Sequence, residues 1–287
     1  MIFPSFATNK VPFTIIIGIQ TKVPLEIRLQ AKDSQKPATY YVNRKGVVNG
    51  YREFELKFPQ VPENMIVNVF NIANGNYKDD EDKSFVVTKF EAKPLKTNPI
   101  WMNEQDASFI KFAQFFCDNA SVLTASIPSG DGIIRPSVYR SNDYQFTFDY
   151  YNQILDRKTQ KVVNTPARIG HNSGVIEISK ECFLRYSVPM RMIILLHEYS
   201  HKWKNPENGR KIGYETGADI AALNMYLSLG YSDLEAHQAF LTVFRGANNA
   251  VNKHRYLIIK DFISKYKSGN LPKYVVDKPR GNKTVSL

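Results

Sequence analysis

The sequence predicts an α+β chain, an all-β module followed by a mixed region whose helices gather late. Three observations carry that prediction. Short segments rich in Val, Ile, Thr, Tyr and Phe recur through the first hundred residues. After residue 187 the apolar positions fall at helical spacing almost to the end. Between these regions one helical stretch precedes several short β-like segments, giving the order helix, strands, helices of a segregated α+β domain.

The β-like segments of the first module cover residues 13–19, 25–29, 39–42, 53–58, 65–71 and 84–91. Within 53–58 the side chains of Phe54, Leu56 and Phe58 share one face of a strand. Turn chemistry separates the segments at Arg44-Lys45-Gly46, at Asn49-Gly50, from Pro59 to Pro62, and at Asn74-Gly75-Asn76. Six short strands so spaced predict a β-sandwich over residues 1–97. The acidic run 79–82 lacks the alternation and closing Glu of a calcium loop, and reads as a solvated hairpin tip. Residues 93–99, with Pro94 and Pro99, read as a linker.

In the mixed region, residues 98–268, Phe109, Phe112, Ala113, Phe116 and Ala120 mark an amphipathic helix over 103–123. Residues 133–140, 144–155, 166–169 and 175–179 are β-like and divided by Gly130, Gly132, Gly170 and Gly174. Four helices are predicted over 188–204, 213–229, 233–245 and 252–267. Residues 269–287 form a basic C-terminal tail.

Composition narrows the function classes. The chain has 287 residues, 43% of them hydrophobic and 23% charged, which are globular values. No apolar run is long enough to cross a membrane. Two cysteines, Cys117 and Cys182, make no disulfide framework and read as small buried hydrophobes. Only Lys10 precedes the apolar stretch 11–19, which Pro12 interrupts, so no secretory signal is expected and the reading is cytoplasmic. The net charge is +11. Residues 1–97 carry 14 basic and 10 acidic side chains, a net +4; the remainder carries +7, of which the last 23 residues supply +5. That distribution describes an attachment strip, and no nucleic-acid-binding motif accompanies it.

One motif carries chemistry. His197-Glu198-Tyr199-Ser200-His201 is H-E-x-x-H, and it follows the apolar run Met192 to Leu196. Four residues is slightly more than one helical turn, so both imidazoles project from one side and form half of a tetrahedral zinc site. Glu198 stands about 100° round the helix, placed to accept a proton from a metal-activated water. Fourteen residues beyond His201, Glu215-Thr216-Gly217-Ala218-Asp219 puts two carboxylates four apart on the next predicted helix. One can bind the metal while the other accepts the second ring N–H of a ligating histidine. Ile220, Ala221, Ala222, Leu223, Met225 and Tyr226 make that helix unusually apolar, and carboxylates on a buried helix need partners.

H-E-Y-S-H followed by E-T-G-A-D resembles the gluzincin branch of the zincin metallopeptidases, over roughly residues 103–265. The resemblance implies a zincin-like domain: a helix, a small twisted sheet, an active-site helix and C-terminal helices. It implies Zn2+ held by His197, His201 and Glu215, with Glu198 as general base and Asp219 orienting a ligating histidine. It also implies an edge strand above the active-site helix, matched to Gly174, Val175, Ile176, Glu177 and Ile178, that takes extended polypeptide substrate. Two departures stand out. The gap between His201 and Glu215 is short, with a tight-turn sequence at 205–209. No motif names the group that stabilises the tetrahedral intermediate; Tyr214, His237, His254, Arg255 and His171 are candidates, with His237 preferred.

A rival reading belongs to another class. The resemblance also reaches virion proteins of tailed bacteriophages, including the crAss-like group, among which zincin-like domains of this kind occur; it then implies a structural or assembly protein, such as a neck component or homo-oligomeric ring. Its peptidase activity would be lost or confined to assembly or infection. The β-sandwich and basic tail would then contact protein partners, and the location would be the virion.

Overall fold

The computed structural model describes residues 2–36, 38–74, 83–97, 102–128, 134–170, 172–204, 212–244 and 250–270. The acidic run 79–82, Gly130, Gly132, His171, the segment 205–209 and the tail beyond Asn270 lie outside the described residues. The chain divides into two compact units. The first is Met1–Thr97 with Ser187–Pro189 and Gly230–Ser232; the second is Asn98–Tyr186, Met190–Leu229 and Asp233–Leu287. No described helix is long and apolar enough to cross a membrane.

The first unit is all β. Strands β1 (Phe6–Ala7), β2 (Phe13–Thr21), β3 (Leu25–Asp33), β4 (Tyr40–Val48), β5 (Tyr51–Phe58), β6 (Asn64–Asn71) and β7 (Phe85–Pro94) form two sheets, ordered β1-β6-β3-β4 and β5-β2-β7. Every pair is antiparallel. The two-residue period puts Ile15, Ile17 and Ile19 of β2 in the core, as it does Ile27, Leu29 and Ala31 of β3 and Met65, Val67 and Val69 of β6. The turn expected at Arg44-Lys45-Gly46 does not form. Those residues pair with Leu29, Arg28 and Ile27, so β4 runs on to Val48. The ladder overrides the local turn signal, and the reversal falls on Asn49-Gly50, where Gly50 has φ +73°.

The second unit is mixed. It contains α1 (Glu104–Asn119), the small pair β8 (Ile127–Pro128) and β9 (Ile134–Arg135), and strands β10 (Ser137–Arg140), β11 (Thr147–Tyr151), β12 (Ala167–Ile169) and β13 (Ile176–Ser179). Helices α2 (Lys180–Phe183), α3 (Val188–Trp203), α4 (Ile212–Ser228), α5 (Asp233–Ala239) and α6 (Ala250–Lys267) follow, with one π-helical stretch, Phe240–Phe244, after α5. The sheet order is β10-β11-β13-β12, parallel between β11 and β13 and antiparallel elsewhere.

Helix α3 is the hub of this unit. Met192, Ile193, Ile194, Leu195 and Leu196 are all buried, so the helix is enclosed on every side over that stretch. Phe109 of α1 stacks on Tyr199 at 4.2 Å between centroids, and Phe112 stacks on Phe148 of β11 at 4.3 Å. Arg191, fully buried, donates to the carbonyls of Cys117 (3.1 Å) and Phe183 (3.2 Å) at the ends of α1 and α2. Carbonyls at helix ends lack intrahelical donors, so a buried guanidinium fits there. Both cysteines are buried and free.

Near its other end α3 is pinned through Asp106. Asn103 caps α1 in a capping box with Asp106. The same buried carboxylate accepts from the Tyr199 hydroxyl (2.5 Å) and pairs with Lys204. Asp106→Ala leaves a buried hydroxyl without its acceptor and removes the side-chain half of the capping box. It should therefore lower unfolding stability by about 3 kcal/mol, read as a fall in the denaturation midpoint at unchanged slope.

Candidate metal centre

Helical spacing on α3 brings the imidazoles of His197 and His201 together, with their Nε2 atoms 2.9 Å apart. Both residues are buried. Helix α4 supplies Glu215, whose Oε2 lies 3.4 Å from His197 Nε2 and whose Oε1 lies 3.6 Å from His201 Nε2. These three residues are the one group among the described residues whose ligand atoms converge tightly enough to hold a metal ion. Ligands about 2.0–2.1 Å from a tetrahedral zinc ion stand about 3.3 Å from one another. The 2.9 Å between the imidazoles and the 3.4 and 3.6 Å to the two carboxylate oxygens are of that order, and two imidazoles with one carboxylate are a borderline-soft set suited to zinc.

A second carboxylate stands beside the first histidine. Asp219, one turn beyond Glu215, has no exposure, and its Oδ1 stands 2.9 Å from His197 Nδ1. A carboxylate at that distance favours the proton on Nδ1 in the neutral ring, which leaves the Nε2 lone pair on the side of Glu215 and His201. Arg255 of α6 closes the arrangement. Its guanidinium holds both oxygens of Asp219, with one N–H to Oδ1 at 2.7 Å, and lies 3.2 Å from Glu215 Oε2. A buried carboxylate needs such a partner, and one cation here serves two acids.

Three acids with different surroundings are held in different states. The hydrogen bond from His197, aided by the charges of His197, His201 and Arg255, outweighs burial and pulls Glu215 down to about 2. Burial pushes Glu198 above the ordinary carboxylate range, with Glu215 adding to the rise. His197 and a backbone N–H from Ile169 oppose it. Burial alone would depress His197, but its hydrogen bonds to Asp219 and Glu215 prevail and raise it to about 9.

The edge strand lies elsewhere than expected. Ile176, Glu177 and Ile178 belong to β13, which is paired with β11 on one side and β12 on the other; Gly174 and Val175 belong to the connection before it. An interior strand has no free ladder to offer. Among the described residues the open edge on this side of the sheet is β12, and the Ile169 backbone at its end favours the charged form of Glu198. Glu177 instead binds Arg157 at 2.7 Å and Arg168 at 2.5 Å.

The remaining candidates separate. Arg255 is at the centre. His254 is exposed. His237 is half-buried, packs edge-on against Tyr256 at 6.2 Å, and has Asp233, Lys260 and Lys267 as its charged surroundings. It is not part of the converging group. His171 and the side chain of Tyr214 lie outside the described residues. What sequence reasoning missed was the pairing of Arg255 with Asp219. The available signal was that a carboxylate on so apolar a helix requires a cation.

Two outcomes follow. Because His197 in the metal-free protein is protonated below about pH 9, binding of Zn2+ at pH 7 should release a proton. Apparent affinity should therefore rise about tenfold per pH unit from pH 7 toward 9 and then level off, as measured by competition titration. Asp219→Ala should weaken zinc binding about 10–100-fold at constant pH.

Comparison of the chain with family models, with curated proteins and with solved structures finds no match.

Proposed function

We propose that the second unit is a zincin-like, gluzincin-type metallopeptidase domain that hydrolyses peptide bonds. The observation that carries this reading is the convergence of His197, His201 and Glu215 beside a Glu198 whose surroundings raise its proton affinity. When bound, zinc supplies a Lewis acid that makes a water acidic near neutral pH and polarises a carbonyl.

The chain's own residues do the rest. His197, His201 and Glu215 are the ligands, and a tetrahedral ion held by three protein ligands keeps its fourth position for water or substrate. Asp219 favours the His197 proton on Nδ1, and Arg255 holds Asp219 in place. Glu198 takes a proton from water and returns it to the leaving amine, work that suits a carboxylate with raised affinity for protons. Extended polypeptide would lie along the open side of β12, where backbone pairing aligns it. The all-β unit, read as a β-sandwich, would serve for docking.

Glu198→Gln tests this directly. The variant should keep one zinc per chain by elemental analysis and lose at least about a thousandfold in hydrolysis of an unstructured protein such as casein. Hydrolysis at the parent rate in that variant would refute the role of Glu198. A parent chain that holds zinc, forms a ring-sized oligomer and cleaves nothing would instead support an assembly role.

A further inference from the structure

Lys202 follows the ligand His201 directly and stands one helical turn after Glu198, so the two share a face of α3. Both reach the same connection. The Ile169 backbone at the end of β12 favours the charged form of Glu198, and the Lys202 ammonium donates to the carbonyl of Asn172 at 2.8 Å. The connection between β12 and β13 is itself tightly closed, with Gly170 N–H to Val175 O at 2.9 Å and Gly174 N–H to Gly170 O at 2.7 Å. Gly174 has φ +73°, and a Cβ there would sit 3.1–3.2 Å from Cδ, Cε and Nζ of Lys202. The lysine stem therefore crosses the backbone at the one position where glycine leaves room for it. A lysine held this way gives up considerable rotamer freedom, which separates it from a solvated surface cation.

We propose that Lys202 is a positioning residue that fastens the β12–β13 turn to α3 and so sets the open edge of β12 against Glu198. The consequence for substrate alignment rests on the peptidase reading above; the fastening itself does not. Lys202 grips the turn one helical turn beyond Glu198, so the edge strand is tied to the helix that carries the acid–base residue. The contacts of Lys202 with Asn172 and Gly174 fall on the β12–β13 turn, so its effect is on geometry.

Backbone hydrogen exchange on the full chain tests the proposal with Lys202→Met, which keeps the stem and removes the donor, and Lys202→Arg, which keeps a donor. Lys202→Met should speed exchange of peptides covering residues 169–175 about tenfold, while residues 192–200 stay protected and zinc affinity is unchanged. Lys202→Arg should recover most of the protection. Gly174→Ala, which blocks the crossing from the other side, should loosen the same segment. If casein is cleaved, Lys202→Met should lower kcat/KM about tenfold with zinc content intact, and Lys202→Arg should restore it. Exchange over 169–175 equal to the parent in Lys202→Met overturns the proposal, as does a loss of zinc affinity without local loosening. A parent chain that cleaves nothing removes the peptidase reading alone, because the exchange measurement still decides the fastening.

Discussion

Asp219 is a carboxylate without contact with water, and three helices meet through it. It rises from α4, accepts from His197 of α3 and is gripped by Arg255 of α6. Left unpaired, a buried carboxylate is costly enough that the fold would rearrange or neutralise it. Pairing it with a guanidinium and an imidazole fixes the relative placement of all three helices. The convergence of Glu215 with the two histidines is then largely determined, because Glu215 is one turn away from Asp219 on the same helix.

The same constraint divides the labour among the acids. Glu215 receives hydrogen bonding and positive charge and stays ionised, as a ligand must. Glu198 has burial and a neighbouring carboxylate against it, offset only in part by His197 and the Ile169 N–H, so it holds protons more readily. Neighbouring groups whose environments push their proton affinities apart are the usual arrangement where one acid binds and another transfers protons. Metal loading reverses the balance on His197, whose proton must leave before Nε2 can coordinate.

Legibility in the sequence followed the range of the interactions. The helix pair carrying the site was readable because a four-residue spacing is a local property, so His197 with His201 and Glu215 with Asp219 could be placed on shared faces before any fold was known. The strands of the first module were readable for the same reason. Strand order was not. Four residues such as 176–179 carry no mark of which neighbour lies beside them, and only pairing with Ala167–Ile169 makes β13 interior and β12 the edge. Arg44-Lys45-Gly46 had turn residues but sat opposite Leu29, Arg28 and Ile27 of β3, and the ladder prevailed. Arg255 was visible as a candidate, yet its partner lies 36 residues away, a distance at which residue spacing says nothing.

The central claim is that His197, His201 and Glu215 form one zinc site. X-ray absorption at the zinc edge, on the full chain loaded with one equivalent, tests it most directly. The expected spectrum has only nitrogen and oxygen neighbours at about 2.0–2.1 Å, with the outer-shell pattern of two imidazoles, and loses that pattern in His197→Ala. A sulfur neighbour at about 2.3 Å, or a spectrum without imidazole scattering, would contradict it.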